Sequence, residues 1–488
     1  MDRPNLVLIV MDTVRARNLR AYGYGRDTTP NLDRFLADAT LYRDATSPSP
    51  WTLPAHASMF TGRMPSQHGA HENHRFLDPE VPHLAELLRV AGYETVGLSS
   101  NSWISNTFGT SRGFERFFKV WQLVQSEQDL HRVHVEDAWQ KWRETVAQLT
   151  GRDFFRNLTN GVYQRFLADR YDKGGRRIGR WVRRWAVERD AKRPFFLFVN
   201  LMEAHLKYLA PAPWRHRFTA PGVDAARVRG LNQDPWAHLT GRAPMTADDF
   251  RVLEDLYDGE LLYLDQCLEE LFAVLRQRAW LDRSLVVVTS DHGENIGDHG
   301  RMDHQYCLYD TLLRVPLMVR YPGDAASRGR TVDAPVQTVD VFPTLLKAAG
   351  LAVPPGPKAP GSRPLEDAVS FGDRLRVAEY LGPEPHAESL EARYPGFRGD
   401  ALRRSLRAVQ ASDGWKWVTA SDGSEELFHL GADPNEQRDR AGDERGAILA
   451  LRQALTAWEA EAGGQRETGE EPEMDEAVRR RLEGLGYL

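Results

Sequence analysis

The chain has 488 residues, of which 41% are hydrophobic and 27% charged, with a formal net charge of −6. That length accommodates one large α/β domain and a smaller one, and that composition excludes a disordered chain. The acidic balance lacks the basic signature of a nucleic-acid binder, so no nucleic acid is expected as a partner.

The first element is a continuous apolar, β-rich run, Asn5–Met11, which ends at Asp12 and predicts a buried parallel strand. It is far too short to span a bilayer, and no leader pattern opens the chain, so neither a transmembrane anchor nor a secretory signal is expected. The two cysteines, Cys267 and Cys307, form no CxxC pair. Their scarcity predicts no disulfide framework and makes a cytoplasmic location the simplest expectation. Thr29-Pro30-Asn31 carries a helix-start signal for an amphipathic helix reaching about Ala39. A second helix is predicted over Val81–Ala91, closed by Gly92, followed by a strand over Glu94–Ser99. Phe195–Leu201, Leu285–Thr289 and Pro316–Tyr321 read as further strands, and Leu253–Trp280 as a long helix.

Strands alternating with helices predict an α/β fold, a large mostly parallel sheet flanked by helices, over residues 1–382. Two stretches, Trp121–Lys192 and Leu209–Phe250, read as insertions. Arg176–Arg193 clusters arginines around Trp181 and Trp185. A solvated helix face with aromatic anchors is the expectation, and a patch for an anionic substrate or membrane surface the alternative. Residues 383–488 read as a C-terminal subdomain. Pro383–Gly399 looks like loop, and Leu406–Gln410, Trp415–Thr419 and Glu426–Leu430 read as a small antiparallel sheet with Asp-Gly turns. A helix over Arg445–Ala462 and an acidic tail follow.

In such sheets ligands bind beyond the carboxyl ends of the strands. Three segments there carry suitable groups: Val10-Met11-Asp12-Thr13, Pro50–Ser58 with Thr61-Gly62-Arg63, and Thr289–Glu294. Asp12, Asp291 and His292 offer two carboxylates and an imidazole, a set that suits Mn²⁺ or Zn²⁺, with Ca²⁺ or Mg²⁺ as alternatives. Singly, each has a plain structural reading as a cap or surface residue. Thr52 lies at or just before the start of a helix, where unpaired N–H groups favour an anion, although a simple Thr cap is the competing reading.

The opening Asn5–Thr13 with Thr28–Asp33, the segment Ser49–Ser58 with Thr61-Gly62-Arg63, and the late block Ser290–Glu294 with Leu308–Asp310 and Arg314–Leu317 resemble the sulfatases of the alkaline phosphatase superfamily. Trp415-Lys416-Trp417, Glu426–Leu430, Asp433-Pro434 and Leu485–Leu488 resemble their C-terminal subdomain. The likeness spans almost the whole chain apart from the two insertions. It implies one divalent metal held by Asp12, Thr52, Asp291 and His292. It also implies His205 as a group touching the substrate anion or leaving group, with His304 near a position where the family carries Lys or His. His56 stands where the sulfatase signature has Arg, and would support Thr52 or the substrate oxygens.

Three departures stand out. Thr52 occupies the site of the formylglycine-forming Cys or Ser, and oxidation of its secondary alcohol gives a ketone, so no formylglycine is expected. Thr13 replaces a second metal-binding Asp, and His292 replaces an Asn. The Thr plus Asp-His pattern resembles the phosphoryl-transfer members, such as lipoteichoic acid synthases and phosphoethanolamine transferases. A second metal could draw only on an imperfect set, Glu203, His205 and His304.

The expected activity is hydrolysis of a sulfate or phosphate ester through a covalent intermediate on Thr52, phosphate mono- or diesters being preferred on chemical grounds. A phospho-group transferase to an alcohol acceptor, or a non-catalytic binding protein of the same fold, are the alternatives. The partner expected is an anionic ester, a small molecule or a glycan or lipid headgroup.

Overall fold

The computed structural model describes residues 3–122, 125, 171–323, 328–370, 372, 374–464, 466 and 468. Most of the Trp121–Lys192 insertion and the acidic tail lie outside them.

Asn5–Met11 alternates its side chains between two cores. Val7, Ile9 and Met11 point into one, Leu6, Leu8 and Val10 into the other. Burial on both faces is why the run has no polar alternation. The strand is central in an eight-stranded sheet. From edge to edge the order is Thr331–Val332, Thr40–Tyr42, Leu317–Arg320, Ser284–Thr289, Asn5–Met11, Phe195–Leu201, Glu94–Ser99 and Arg116–Lys119. Only Leu317–Arg320 runs against its neighbours, so the sheet is mixed but mostly parallel.

One face is covered by the long helix Ala247–Gln277 with Pro30–Leu36 and Gly175–Glu188. The other is covered by Thr52–Thr61, Leu84–Val90 and Val341–Ala348. The long helix begins earlier than its apolar periodicity predicts, because Thr246 and Asp249 form a reciprocal capping box. In Gly175–Glu188, Trp185 is buried and donates to Glu94, while Arg180, Arg183 and Arg184 face solvent. Arg189 and Arg193 pair with Glu94 and Glu115. The arginine cluster is thus a solvated face with an aromatic anchor.

A second, antiparallel sheet runs in the order Arg376–Tyr380, Leu406–Gln410, Trp415–Ala420 and Glu425–His429. Its first strand precedes residue 383. Helix Arg445–Ala462 packs Ile448, Leu451, Leu455 and Trp458 against Val377, Val409, Trp417 and Leu427. Pro383–Gly399, expected as loop, contains a helix over Glu384–Arg393, whose Ala387 and Leu390 are buried. Among the described residues no helix is long and apolar enough to cross a membrane.

A buried ion triad joins the two sheets. Lys416 Nζ lies 2.8 Å from Asp310 and 2.6 Å from Glu436, and Glu436 accepts the Asp310 N–H at 2.6 Å. Removing the cation leaves two uncompensated carboxylates. Lys416→Met is therefore expected to cost about 3–5 kcal/mol, read as a lowered denaturant midpoint; an unchanged midpoint would show that the triad contributes nothing.

Candidate metal and nucleophile site

Four adjacent strands deliver the site from their carboxyl ends. Ser284–Thr289 leads to Asp291 and His292, Asn5–Met11 to Asp12, Phe195–Leu201 to His205, and Glu94–Ser99 to Asn101. Thr52 arrives from outside the sheet, as the first residue of helix Thr52–Thr61, behind an extended Trp51. The helix is buried throughout and ends at Gly62 (φ +67), where a Cβ would meet the Phe342 ring at 2.7 Å. That accounts for the glycine of Thr61-Gly62-Arg63. Gly293 has a similar cause: a Cβ there would lie 2.0 Å from the Thr311 carbonyl oxygen.

Asp12, Asp291 and His292 are fully buried, and their ligand atoms lie within 4.8 Å of one another. Asp12 Oδ2 accepts from Asn101 at 2.8 Å and from Asn200 at 3.2 Å, while Oδ1 has no hydrogen-bond partner. Asp291 Oδ1 accepts the backbone N–H of His292 at 3.0 Å and of Thr13 at 3.3 Å, while Oδ2 has none. Each acid thus has one satisfied and one unsatisfied oxygen. Burial and the neighbouring Asp12 push the Asp291 carboxyl well above its ordinary range. His292 Nδ1 donates to the Gly293 carbonyl at 2.9 Å, which leaves a lone pair on Nε2. Burial, then His304, holds this imidazole neutral. Two acids with orphaned oxygens and a neutral imidazole fit one divalent cation.

Thr52 Oγ1 lies 3.4 Å from His292 Nε2 and accepts from Asn101 at 3.2 Å. Asn101 thereby bridges the hydroxyl and Asp12. The sequence alone does not single it out; its signal is its place just past the end of strand Glu94–Ser99. We expect Asn101→Ala to lower kcat about 10- to 100-fold while metal content, measured by elemental analysis, stays at the wild-type stoichiometry.

The three other histidines differ in charge. His56 donates through Nδ1 to the Thr52 carbonyl at 2.9 Å and sits 3.5 Å from Asp291 Oδ2. Burial pushes it down to about 4, so it enters neutral, where an Arg would bring charge. His205 Nδ1 donates to the Leu206 carbonyl at 2.8 Å, and burial together with His304 holds it neutral too. His304 is the charged member. Burial disfavours its cation, but Asp303 at 2.6 Å and Glu294 at 3.4 Å raise its pKa well above the ordinary value. Its ring centroid is 4.5 Å from that of His292 and 5.2 Å from that of His205.

Glu203 does not join this group. Its Oε1 accepts the Gly175 N–H at 2.7 Å. Among the described residues the second cluster of ligand-type groups is Glu294, Asp303 and His304 instead, and a protonated imidazole between two carboxylates accounts for it.

Residues 4–351 match the family model described as Sulfatase. Arylsulfatase K of Xenopus laevis is 23% identical, over 90% of this chain and 79% of that protein. Choline-sulfatase of Rhizobium meliloti is 25% identical, over 94% of this chain and 88% of that protein. The crystal structure of phosphonate monoester hydrolase of Agrobacterium radiobacter superposes with a TM-score of 0.69 at 21% identity, covering 96% of this chain and all of that one.

Proposed function

The chain belongs to the sulfatase family, and we propose that it is a metal-dependent ester hydrolase whose nucleophile is the Thr52 hydroxyl. The observation that carries this reading is the convergence of Asp12, Asp291 and His292 on Thr52, with an orphaned oxygen on each acid. A divalent cation held by these three residues and Thr52 would supply a Lewis acid that lowers the pKa of the hydroxyl and polarises an ester oxygen.

Within that setting the chain's own groups divide the work. Asn101 fixes the Thr52 oxygen. That oxygen, its proton lost to solvent, attacks phosphorus or sulfur in line and displaces the alcohol, forming a phospho- or sulfo-threonine. The N-terminal end of helix Thr52–Thr61 favours the anion that builds up there. His304, held protonated by Asp303 and Glu294, steadies the transferring group and gives a proton to the leaving oxygen. His205, neutral beside it, contacts the substrate anion. His56 holds the first turn of the helix in register with Asp291. Water then gives a proton back to His304, attacks the threonine ester at phosphorus or sulfur and displaces the Thr52 oxygen, freeing the anion.

Phosphate mono- or diesters are the better substrates on this chemistry. A phosphothreonine is cleared by a second attack at phosphorus. A sulfo-threonine lacks the elimination route that a formylglycine diol supplies. The names of the relatives span sulfate and phosphonate esters. The test is turnover of paired aryl sulfate, phosphate monoester and phosphate diester substrates with Mn²⁺, Zn²⁺, Ca²⁺ and Mg²⁺. Release of free anion is the expected result. Product formed only with an alcohol acceptor would make the protein a transferase, and no turnover with metal bound would make it a binding protein.

A further inference from the structure

The end of helix Thr52–Thr61 remote from Thr52 opens on a cavity of about 170 Å³. Ten residues of α-helix place it about 15 Å from the reaction centre. Three parts of the chain wall it: Thr61-Gly62-Arg63, helix Val341–Ala348, and the loop 351–364 that follows. Phe342, Pro343, Leu351, Val353 and Pro354 make the wall mainly apolar. Five prolines stiffen the loop. Ala359 ties it to the helix end by donating to the Gly62 carbonyl at 3.0 Å. The cavity is thus formed before anything enters it, which lowers the entropic cost of binding.

The charges around the cavity have one sign. Arg63, Lys347, Lys358 and Arg363 line it, and among the described residues no acidic side chain does. Lys347 pairs with Glu366 at 2.7 Å and Asp367 at 3.2 Å, and Lys358 and Arg363 are exposed to water. Arg63 has neither outlet. It is 8% exposed. Its backbone N–H donates to Thr61 Oγ1 at 3.3 Å, but its guanidinium makes no hydrogen bond or ion pair among the described residues. A Cβ at Gly356 would lie 3.6 Å from Arg63 Nη2, so the loop crosses over the guanidinium. Burial, then the nearby cation of Arg466, pulls the Arg63 pKa below its ordinary value. Arg466 itself is paired with Asp78 and Glu80. Buried charges are ordinarily paired. This one faces a cavity instead of a carboxylate.

We propose that this cavity is a second anion site, separate from the reaction centre, and that it takes a monocarboxylate with a compact apolar body, an aromatic or short-chain acid. The chemical class follows from the lining. One guanidinium matches one carboxylate through two parallel N–H···O bonds. A single buried cation balances one charge, so a dianionic phosphate would stay half-neutralised against apolar walls. The volume sets the size of the body: an apolar cavity of about 150 Å³ holds a benzene ring.

The test is calorimetry on the full chain with its metal, using benzoate, hexanoate and benzyl alcohol as probes. At least one of the two acids is expected to bind. Benzyl alcohol keeps the ring and lacks the charge, and is expected to bind at least about tenfold more weakly. Arg63→Met keeps the length of the side chain and removes its charge. Val353→Trp fills the cavity from its rim, where Val353 is 41% exposed. Each variant is expected to weaken binding of the acid at least about tenfold. Val353→Trp reports even where Arg63→Met fails to fold. Binding that either folded variant leaves unchanged belongs elsewhere, the metal included, and overturns the proposal. Equal binding of benzyl alcohol, or no binding of either acid, overturns it too. The readout is binding rather than turnover, so failure here leaves the ester-hydrolase reading standing.

Discussion

Thr52→Ala is expected to lower turnover by at least about 10³-fold, the scale on which removing a nucleophile acts. The fold should survive. The lost hydroxyl makes only two long contacts, 3.2 Å to Asn101 and 3.4 Å to His292, and a typical hydrogen bond is worth about 1 kcal/mol. Thr52→Ser keeps the hydroxyl on the same helix turn and should retain turnover within about tenfold of wild type, since it changes placement rather than chemistry. Steady-state rates on the best ester, beside melting curves, check both variants. Wild-type rates in Thr52→Ala would end the nucleophile assignment. Loss in both variants would show that the methyl group, and so the exact seat of the oxygen, matters as much as the hydroxyl.

Asp291→Asn should produce two effects of opposite sign. Metal affinity falls by at least about 100-fold, because a ligand is lost rather than merely a supporting contact. Without metal the variant should be more stable than the wild type. The sign follows from the site. Asp291 is buried beside Asp12 and its folded pKa lies well above the ordinary value. The unfolded chain therefore ionises more readily, and at neutral pH the wild-type carboxylate costs folding stability that falling pH restores. A neutral amide removes that cost. With metal the order reverses, since a ligand at a hundred times its Kd stabilises by about 2.7 kcal/mol. Melting temperatures of both proteins with and without chelator test this. A metal-free variant that melts below metal-free wild type would contradict the electrostatic account of the pair.

Both predictions concern residues legible before any coordinates, and the reason is physical. Asn5–Met11 and Phe195–Leu201 are buried on both faces, so they stand out as near-continuous apolar runs with the chemistry at their ends. Thr40–Tyr42 and Arg116–Lys119 were missed, being short and lying toward the sheet edges, where periodicity has no room to show. Arg376–Tyr380 was hidden by its charges. Arg376 pairs with Asp44 and Glu379 with Arg407, so residues that look like surface lie in the seam between the sheets. Helix Glu384–Arg393 has a weak apolar stripe and two prolines at its start, which read as loop. The side-chain set around His304 is a through-space feature. Asp303 is the chain neighbour of His304, but nothing local announces that Glu294, in the conspicuous Asp-His-Gly-Glu run, reaches the same imidazole. Asn101 belongs to the same class, since its role lies in reaching Asp12 and Thr52 from a neighbouring strand.

The most direct test of the central claim is an anomalous difference map from crystals of the protein soaked in Mn²⁺. The account predicts one peak, flanked by Asp12, Asp291 and His292 and touching the Thr52 hydroxyl. A peak seated on Glu294, Asp303 and His304, or one beside the two aspartates with the Thr52 hydroxyl turned away, would contradict it.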